Sequence, residues 1–476
     1  MNTSERNNFA NWVFKNTDPK KVFCVDSTGA SITYAQLQIR VNYFASKLKD
    51  KYGVQPQQRI GILLYDTVNW PVAFLSCLLI GANPLLLYRN LLGADIKYLV
   101  QLADCKFVIC TDENFSYVKS IPDYEIQETE IEKVEPYLWH KDEMCWWTLS
   151  SGSTGRHKLI VNTHGSFENL YNVANNRVGI KENDFVLCVA KMSFAWGLAQ
   201  MMWVMSNNAT IGLIKKAPAP SMIFKMIKDN DANVLCISPY VLNAMCRKKF
   251  VLPKHLKIIS SGEHLTDRLR NKFKKVFGLN ILDGYGTSEI WSAISIQQND
   301  VAFNNMGSVI EGVKYKIVDE NQKQCPPGTP GELYVSHPAQ AVMYWKDTTA
   351  SKQTFIGDWV RTGDIVIEKQ SKLIYKGRKD DIVKIQGLFV SPIDIEEKIL
   401  QISNVEQCMV IVDTEADVFS LVLLVKFEKK DKDNISNLRS ALHTKLTTER
   451  IPKYIKEVEE FPRTVNNKMK RKISFA

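Results

Sequence analysis

The sequence predicts an α/β chain in two unequal parts, a large N-terminal part with helix-covered parallel sheets and a smaller α+β part at the C-terminus. Three observations carry this. Over roughly the first 340 residues, short apolar runs alternate with helical patterns, as expected of parallel sheets covered by helices. From about Gly312 the pattern becomes strand, turn-rich loop and strand, the mark of a hairpin-rich β region. After Gly377 a charged run, Arg378-Lys379-Asp380-Asp381, separates two patterned regions, and a shorter mixed unit follows.

In chain order, the expected buried strands are 59–66 (RIGILLYD), 106–110 (KFVIC), 184–192 (DFVLCVAKM), 209–214 (ATIGLI), 233–238 (NVLCIS), 256–262 (LKIISSG) and 280–286 (NILDGYG). Amphipathic segments lie between several of them, such as 269–278 (LRNKFKKVFG). The apolar stretch from Trp70 to Leu87 contains two prolines, an asparagine and a glycine. It predicts a buried helix, a stop at Gly81 and a following strand rather than a membrane span. Residues 313–335 (VKYKIVDENQKQCPPGTPGELYV) read as two strands around a turn-rich loop. In the C-terminal unit, VSPIDIEEKIL and ISNLRSALHTKL read as helices, and CMVIVD and SLVLLVKFE as strands. No internal repeat is present.

Composition narrows the function. Of 476 residues, 45% are hydrophobic and 24% charged, which excludes a disordered, collagen-like or coiled-coil protein. The ten cysteines form no C-x-x-C pair and the seven histidines do not cluster with them. Scattered reduced thiols of a cytoplasmic protein fit better than a disulfide framework or zinc ribbon. The start, MNTSERNNFANW, lacks the basic and apolar regions of a signal peptide. The net charge is +10, and from Phe427 onward 13 Lys or Arg stand against 7 Asp or Glu, an excess of +6. Such an excess is either a solvated surface or an attraction for anionic partners. No aromatic RNA-binding signature or basic arm accompanies it, so no nucleic-acid partner is expected.

The segment 146–158 (WWTLSSGSTGRHK) runs an apolar strand into a loop of hydroxyls and glycines. Such amides and hydroxyls can wrap phosphate oxygens, with Arg156 and Lys158 adding charge. It is neither a Walker A loop nor a serine elbow, and alone it reads equally as a polar turn. It is not alone. DGYGTSE (283–289) ends a predicted strand; Tyr285 can stack on a purine, and Glu289 can hold Mg²⁺. In WVRTGD (359–364), Asp364 can accept hydrogen bonds from two ribose hydroxyls or cap a turn. GRKDD (377–381), KIQGLFVSP (384–392) and PRTVNNKMKRK (462–472) follow.

In order and spacing, SITYAQL, GANPLL, SSGSTGRHK, GEHL, DGYGTSE, GELYV, RTGD, GRKDDIVKIQG and PRTVNNK resemble the adenylate-forming superfamily: acyl-CoA synthetases, peptide-synthetase adenylation domains and firefly luciferase. The resemblance spans nearly the whole chain. CWWTLSSGSTG, KMSFAWGL and GRKDDIVKIQGLFVSPIDIE are most similar to benzoate–CoA ligase and related aryl-acid ligases. The resemblance implies an N-terminal domain over 1–376, made of two helix-covered sheet subdomains and a β-barrel-like subdomain. It implies a hinge at 377–381, with Asp380 at its centre, and a mobile C-terminal domain over 382–476. The implied cofactors are ATP, Mg²⁺ and CoA, or a carrier protein's phosphopantetheine in place of CoA.

Carried over by motif, Ser151, Gly152, Ser153, Thr154, Gly155 and Lys158 would handle the pyrophosphate. Gly262, Glu263, Asp283, Gly284 and Tyr285 would border the adenine. Ser288 would contact the α-phosphate and Glu289 would bind Mg²⁺. Asp364 and Arg378 would hold the ribose, and Gly387 would line the thiol tunnel. Lys468 would bridge the reacting carboxylate and the ATP oxygens. A cation about 4 Å from a charge in a partly shielded site is worth on the order of 4 kcal/mol, roughly a thousandfold in rate. Two departures stand out. His157 replaces the family's usual proline, which predicts a looser loop. Asn467 replaces a glycine, where asparagine tolerates left-handed backbone.

For the acid, the resemblance places the pocket at Phe194, Ala195, Trp196, Tyr240, His264, Ser292 and Ala293. The aspartate that would hold an amino acid's ammonium is missing from Ser193-Phe194-Ala195-Trp196-Gly197, which disfavours free α-amino acids. Trp196 would shorten the pocket against long fatty acids, and an aromatic ring would gain edge and offset contacts. Phe194 and Trp196 read alternatively as core packing, and His264 as a bystander beside the adenine. The leading expectation is an AMP-forming aryl-acid–CoA ligase. The alternatives are an enzyme that loads a carrier protein and a nucleotide-binding protein without catalysis. Lys468→Ala should abolish acid-dependent pyrophosphate–ATP exchange yet spare thioester formation from supplied acyl-adenylate; equal loss of both steps would contradict the role given to Lys468.

Overall fold

The structure is a computed structural model that describes residues 6–150, 157–168, 178–297, 305–385, 388–413, 420–463 and 469–471. Two mixed sheets dominate it. In the first, seven strands run in the order Met343–Tyr344, Lys158–Thr163, Met144–Ser150, Asn83–Leu86, Arg59–Leu63, Phe107–Cys110 and Lys119–Pro122. The last four are parallel to their neighbours. In the second, nine strands include a parallel core of Ile281–Thr287, Lys257–Ser261, Val234–Ile237, Phe185–Cys188, Thr210–Leu213 and Val22–Asp26.

These strands read as continuous apolar runs because both faces are covered. Their side chains alternate between two cores. Ile60 and Ile62 join one cluster, whereas Leu63, Leu85 and Leu87 join another. In the second sheet Val186 and Cys188 face the first of these clusters, and Phe185 and Leu187 a third. The shared cluster draws on both sheets and on helices Tyr34–Ser46, Asn69–Leu79 and Ala195–Ser206. These helices are therefore packed between the sheets, and Asn69–Leu79 is buried at every residue from Trp70 to Leu79. The outer face of the second sheet is covered by Pro220–Asp229, Pro239–Met245 and Asp267–Phe277.

The Trp70–Leu87 stretch forms the expected helix, stop and strand: helix Asn69–Leu79, then strand Asn83–Leu86. Gly81 has φ +83°, and a Cβ there would lie 2.5 Å from the Tyr137 ring. Both the backbone and the packing thus require glycine. Among the described residues, no helix is long and apolar enough to cross a membrane. The expected strand 184–192 is shorter, ending at Cys188. The Lys191 amine donates to the carbonyls of Ile214 (2.9 Å) and Lys216 (2.7 Å) and pairs with Asp66 (3.2 Å), so the chain turns away there.

The hairpin-rich region is an antiparallel sheet of Lys314–Val318, Gly331–Ser336, Trp359–Lys369, Phe355–Ile356 and Lys372–Arg378 around its own apolar cluster. Beyond it, helix Pro392–Ile399, strands Val405–Asp413, Ser420–Phe427 and Tyr454–Glu457, and helix Asn434–Lys445 supply a separate cluster. The smaller α+β part therefore follows the larger α/β part, as the sequence predicts.

Candidate nucleotide site

The site is assembled where parallel strands of the second sheet end, the usual place for ligands in open α/β sheets. Strand Lys257–Ser261 pairs with Ile281–Thr287 so that Ser260 stands opposite Asp283 and Ser261 opposite Gly284. This brings Gly262 and Glu263 beside Asp283, Gly284 and Tyr285. Thr287 pairs with Ile290, so Ser288 and Glu289 form the two-residue tip of a hairpin.

Across from them, strands Trp359–Lys369 and Lys372–Arg378 place Asp364 directly opposite Arg378. Asp364 is only 4% exposed. Its Oδ2 accepts from the Tyr285 hydroxyl at 2.5 Å, and its Oδ1 lies 3.2 Å from the Arg378 guanidinium. Arg378 also donates to the Thr362 carbonyl at 2.5 Å. Burial and then Asp364 push the Tyr285 hydroxyl well above the ordinary tyrosine range, so it stays a donor. Asp364 is the main cause that raises Arg378, with Tyr375, Tyr285 and Glu289 adding to it. Burial pushes the Asp283 carboxyl up to about 7, against the opposing pull of Arg270 and His264.

Lys158 opens the strand Lys158–Thr163, opposite Ser150 of the neighbouring strand. Ser151, Gly152, Ser153, Thr154 and Gly155 lie outside the described residues, but the two ends of their loop are fixed by this pairing. His157 contributes as well: its Nδ1 donates to the Ser150 carbonyl at 2.9 Å. The histidine that stands in place of the family's proline thus bonds back to the preceding strand; the looser loop expected of it falls on 151–156, outside the described residues. Lys158 Nζ sits 4.9 Å from the centre of the Tyr344 ring and 3.8 Å from Asp347. The Tyr344 hydroxyl donates to Glu289 Oε1 at 2.8 Å. Tyr344 carries no charge or glycine signature and was not legible in the sequence.

These groups fit a nucleotide with its metal. Two carboxylates, two cations and hydroxyls converge, and among the described residues the Thr287 Oγ1 and Ser260 Oγ atoms are buried without a hydrogen-bond partner.

The acyl-pocket candidates separate. Ala195, Trp196 and Ala293 belong to the core between the sheets, with Trp196 edge-on to Trp203 at 5.3 Å. Phe194 packs edge-on against Tyr88 at 4.3 Å in the neighbouring cluster. Ser292 is buried, and among the described residues its Oγ and the Trp196 Nε1 have no hydrogen-bond partner. Tyr240 and His264 instead meet the C-terminal part. The Arg463 guanidinium lies over the Tyr240 ring at 4.3 Å and 3.4 Å from Glu263. His264 Nε2 lies 2.8 Å from Glu397 Oε1. Asp380 stands in a short turn, Lys379–Asp381. Gly387 and Lys468 lie outside the described residues. Arg463, within the motif noted for its lysine, is the other contact the sequence did not single out.

The sequence model of the AMP-binding enzyme family matches residues 10–345. The chain belongs to that family. It is similar to a benzoate–CoA ligase of Thauera aromatica, 27% identical over 95% of this chain and 92% of that protein. It is similar also to a 4-hydroxybenzoate–CoA/benzoate–CoA ligase of Rhodopseudomonas palustris, 26% identical over 93% of this chain and 88% of that protein. The crystal structure of a benzoate CoA ligase from Burkholderia xenovorans superposes with a TM-score of 0.89 at 27% identity, over 98% of this chain and 99% of that one. The adenylate-forming fold is thus established for this member of the family.

The raised Asp283 carboxyl has a consequence for stability. An unfolded aspartate titrates near 3.9. Because the folded value is higher, its contribution is complete below the unfolded value and is lost as pH rises through about 7. Asp283→Asn removes this loss, so the thermal midpoint difference, variant minus parent, should be more positive at pH 8 than at pH 5. The same difference at both pH values would contradict a raised carboxyl.

Proposed function

We propose that this chain is an AMP-forming acid–CoA ligase that acts on an aromatic or other small carboxylic acid. The observation that carries the proposal is the buried Asp364, bonded to Tyr285 and Arg378, with Glu289 at the tip of the hairpin that carries Tyr285. This arrangement suits a ribose beside a triphosphate.

A free carboxylate resists nucleophiles because it is anionic and resonance-stabilised. In the first step one of its oxygens attacks the α-phosphorus of ATP, and the bond to pyrophosphate breaks. In the second the sulfur of CoA attacks the acyl carbon, AMP leaves with the bonding electrons, and the thiol proton passes to solvent. Mg²⁺, held by Glu289, supplies charge neutralisation at the phosphates. Lys158 and the loop 151–155 hold the pyrophosphate oxygens, and Ser288 donates toward the α-phosphate. Asp364 and Arg378 fix the ribose, and the Tyr285 ring flanks the adenine. Such preorganised donors and cations are the main source of rate in phosphoryl transfer.

Lys468 supplies the remaining cation. Support comes from the flanks of its segment: Arg463 forms a bridge with Met469, and the Lys470 amide donates to the Pro462 carbonyl at 2.9 Å. Arg463 is itself seated against Glu263 and Tyr240, beside the nucleotide site. After the first step the part beyond Asp380 turns, withdraws Lys468 and brings Gly387 to the thiol. The names of the relatives support CoA as acceptor and an aryl acid as substrate. We place the enzyme in the cytoplasm, where its ten free thiols stay reduced.

Pyrophosphate–ATP exchange, screened over benzoates, cinnamates, short fatty acids and amino acids, tests the proposal. Exchange should be strongest with an aryl acid, and free CoA should then yield the thioester and AMP. Absence of exchange with every acid in the panel would favour a nucleotide-binding protein without catalysis. Exchange followed by transfer to a carrier protein but not to CoA would favour the carrier-loading alternative.

A further inference from the structure

One side chain touches both charged ends of the site, and no role has been given to it. Tyr344 is 7% exposed. Its backbone is fixed from two sides. It stands opposite Ile160 in the strand that begins at Lys158, and the Trp345 amide donates to the Leu159 carbonyl at 2.8 Å. Its own amide donates to Ser351 Oγ at 2.9 Å. From this position its hydroxyl reaches Glu289 Oε1 (2.8 Å) and its ring face carries Lys158 Nζ (4.9 Å). Asp347, three residues on, caps the helix Thr348–Thr354 through the Ala350 amide at 3.0 Å and lies 3.8 Å from Lys158.

Packing alone does not need the hydroxyl: a phenylalanine would fill the same space against Phe355, whose ring centre is 5.3 Å away. Among the described residues, the hydroxyl donates to the Glu289 carboxylate, the group that is to meet the metal, and also shares a hydrogen bond with the Thr354 side chain. A glutamate at a hairpin tip has three rotatable bonds, and a fixed donor on one oxygen removes much of that freedom. The ring face holds the Lys158 ammonium without neutralising its charge, while Asp347 at 3.8 Å holds it from a second side.

We infer that Tyr344 is a positioning residue of the nucleotide site: its hydroxyl holds one oxygen of Glu289 and leaves the other to magnesium, and its ring seats Lys158 for the phosphates. The inference rests on the reading of Glu289 and Lys158 given above.

The test is equilibrium binding, without turnover, of the non-hydrolysable analogue α,β-methylene-ATP to the full-length protein, measured by calorimetry over a series of free Mg²⁺ concentrations. Tyr344→Phe keeps the ring and loses the hydroxyl. It should raise the Mg²⁺ concentration for half-maximal binding about tenfold, the usual scale for losing a group that orients a metal ligand. Its binding without Mg²⁺ should match the parent. Tyr344→Leu should weaken binding without Mg²⁺ as well, because Lys158 loses its platform. An unchanged Mg²⁺ dependence in Tyr344→Phe would overturn the inference, as would a lowered thermal midpoint with no shift in that dependence. Glu289→Gln and Lys158→Ala separate the two levels. If both leave analogue binding unaltered, the nucleotide site itself is misplaced. If both weaken it and Tyr344→Phe does not, only the role of Tyr344 fails.

Discussion

The site depends on one buried carboxylate. Asp364 is 4% exposed, and an ionised carboxylate in such surroundings costs several kcal/mol unless charge and hydrogen bonds satisfy it. Arg378 and Tyr285 do so from two different sheets. The antiparallel sheet must therefore dock with Asp364 against the end of the parallel sheet, and removal of either partner leaves a buried charge short of a bond. The same three groups expose a half-covered guanidinium and an aromatic ring, the features a nucleoside requires. The fold and the site thus share one electrostatic constraint.

A second constraint lies at the hairpin tip. Glu289 and Lys158 have opposite charges yet do not pair directly; Tyr344 stands between them, bonded to one and stacked with the other. Lys158 pairs instead with Asp347, at 3.8 Å. Farther along, Arg463 carries the start of the C-terminal lysine motif to Glu263 and Tyr240. At the other end of that motif, Arg471 is raised against the opposing effect of burial by Glu396 and Asp381 and donates to Glu396 at 2.8 Å. The motif is thereby tied both to the nucleotide side and to the C-terminal core.

Much of this was legible in the sequence because the signals are local. Continuous Ile, Val and Leu runs gave the doubly covered strands, and Gly81 marked a stop that its φ of +83° demands. The glycines, hydroxyls and carboxylates of 283–289 and Asp364 pointed to phosphate and ribose chemistry by residue type and order. What escaped depends on distant partners. Strand Val22–Asp26 lies beside Thr210–Leu213, a pairing across most of the N-terminal part with no local mark. Lys191 shortened a strand by reaching Asp66 and two carbonyls. The contacts of Tyr344 and Arg463 depend wholly on what the fold sets opposite them. The His157 bond to the Ser150 carbonyl likewise appears only once the two strands pair.

The most direct measurement is a crystal structure of the protein with ATP and Mg²⁺. The account predicts the ribose hydroxyls on Asp364, the adenine beside Tyr285 and the metal on Glu289, with the phosphates turned toward Lys158. A nucleotide bound elsewhere, with Asp364 and Glu289 making no contact to it, would contradict the claim that these separated segments converge to form one site.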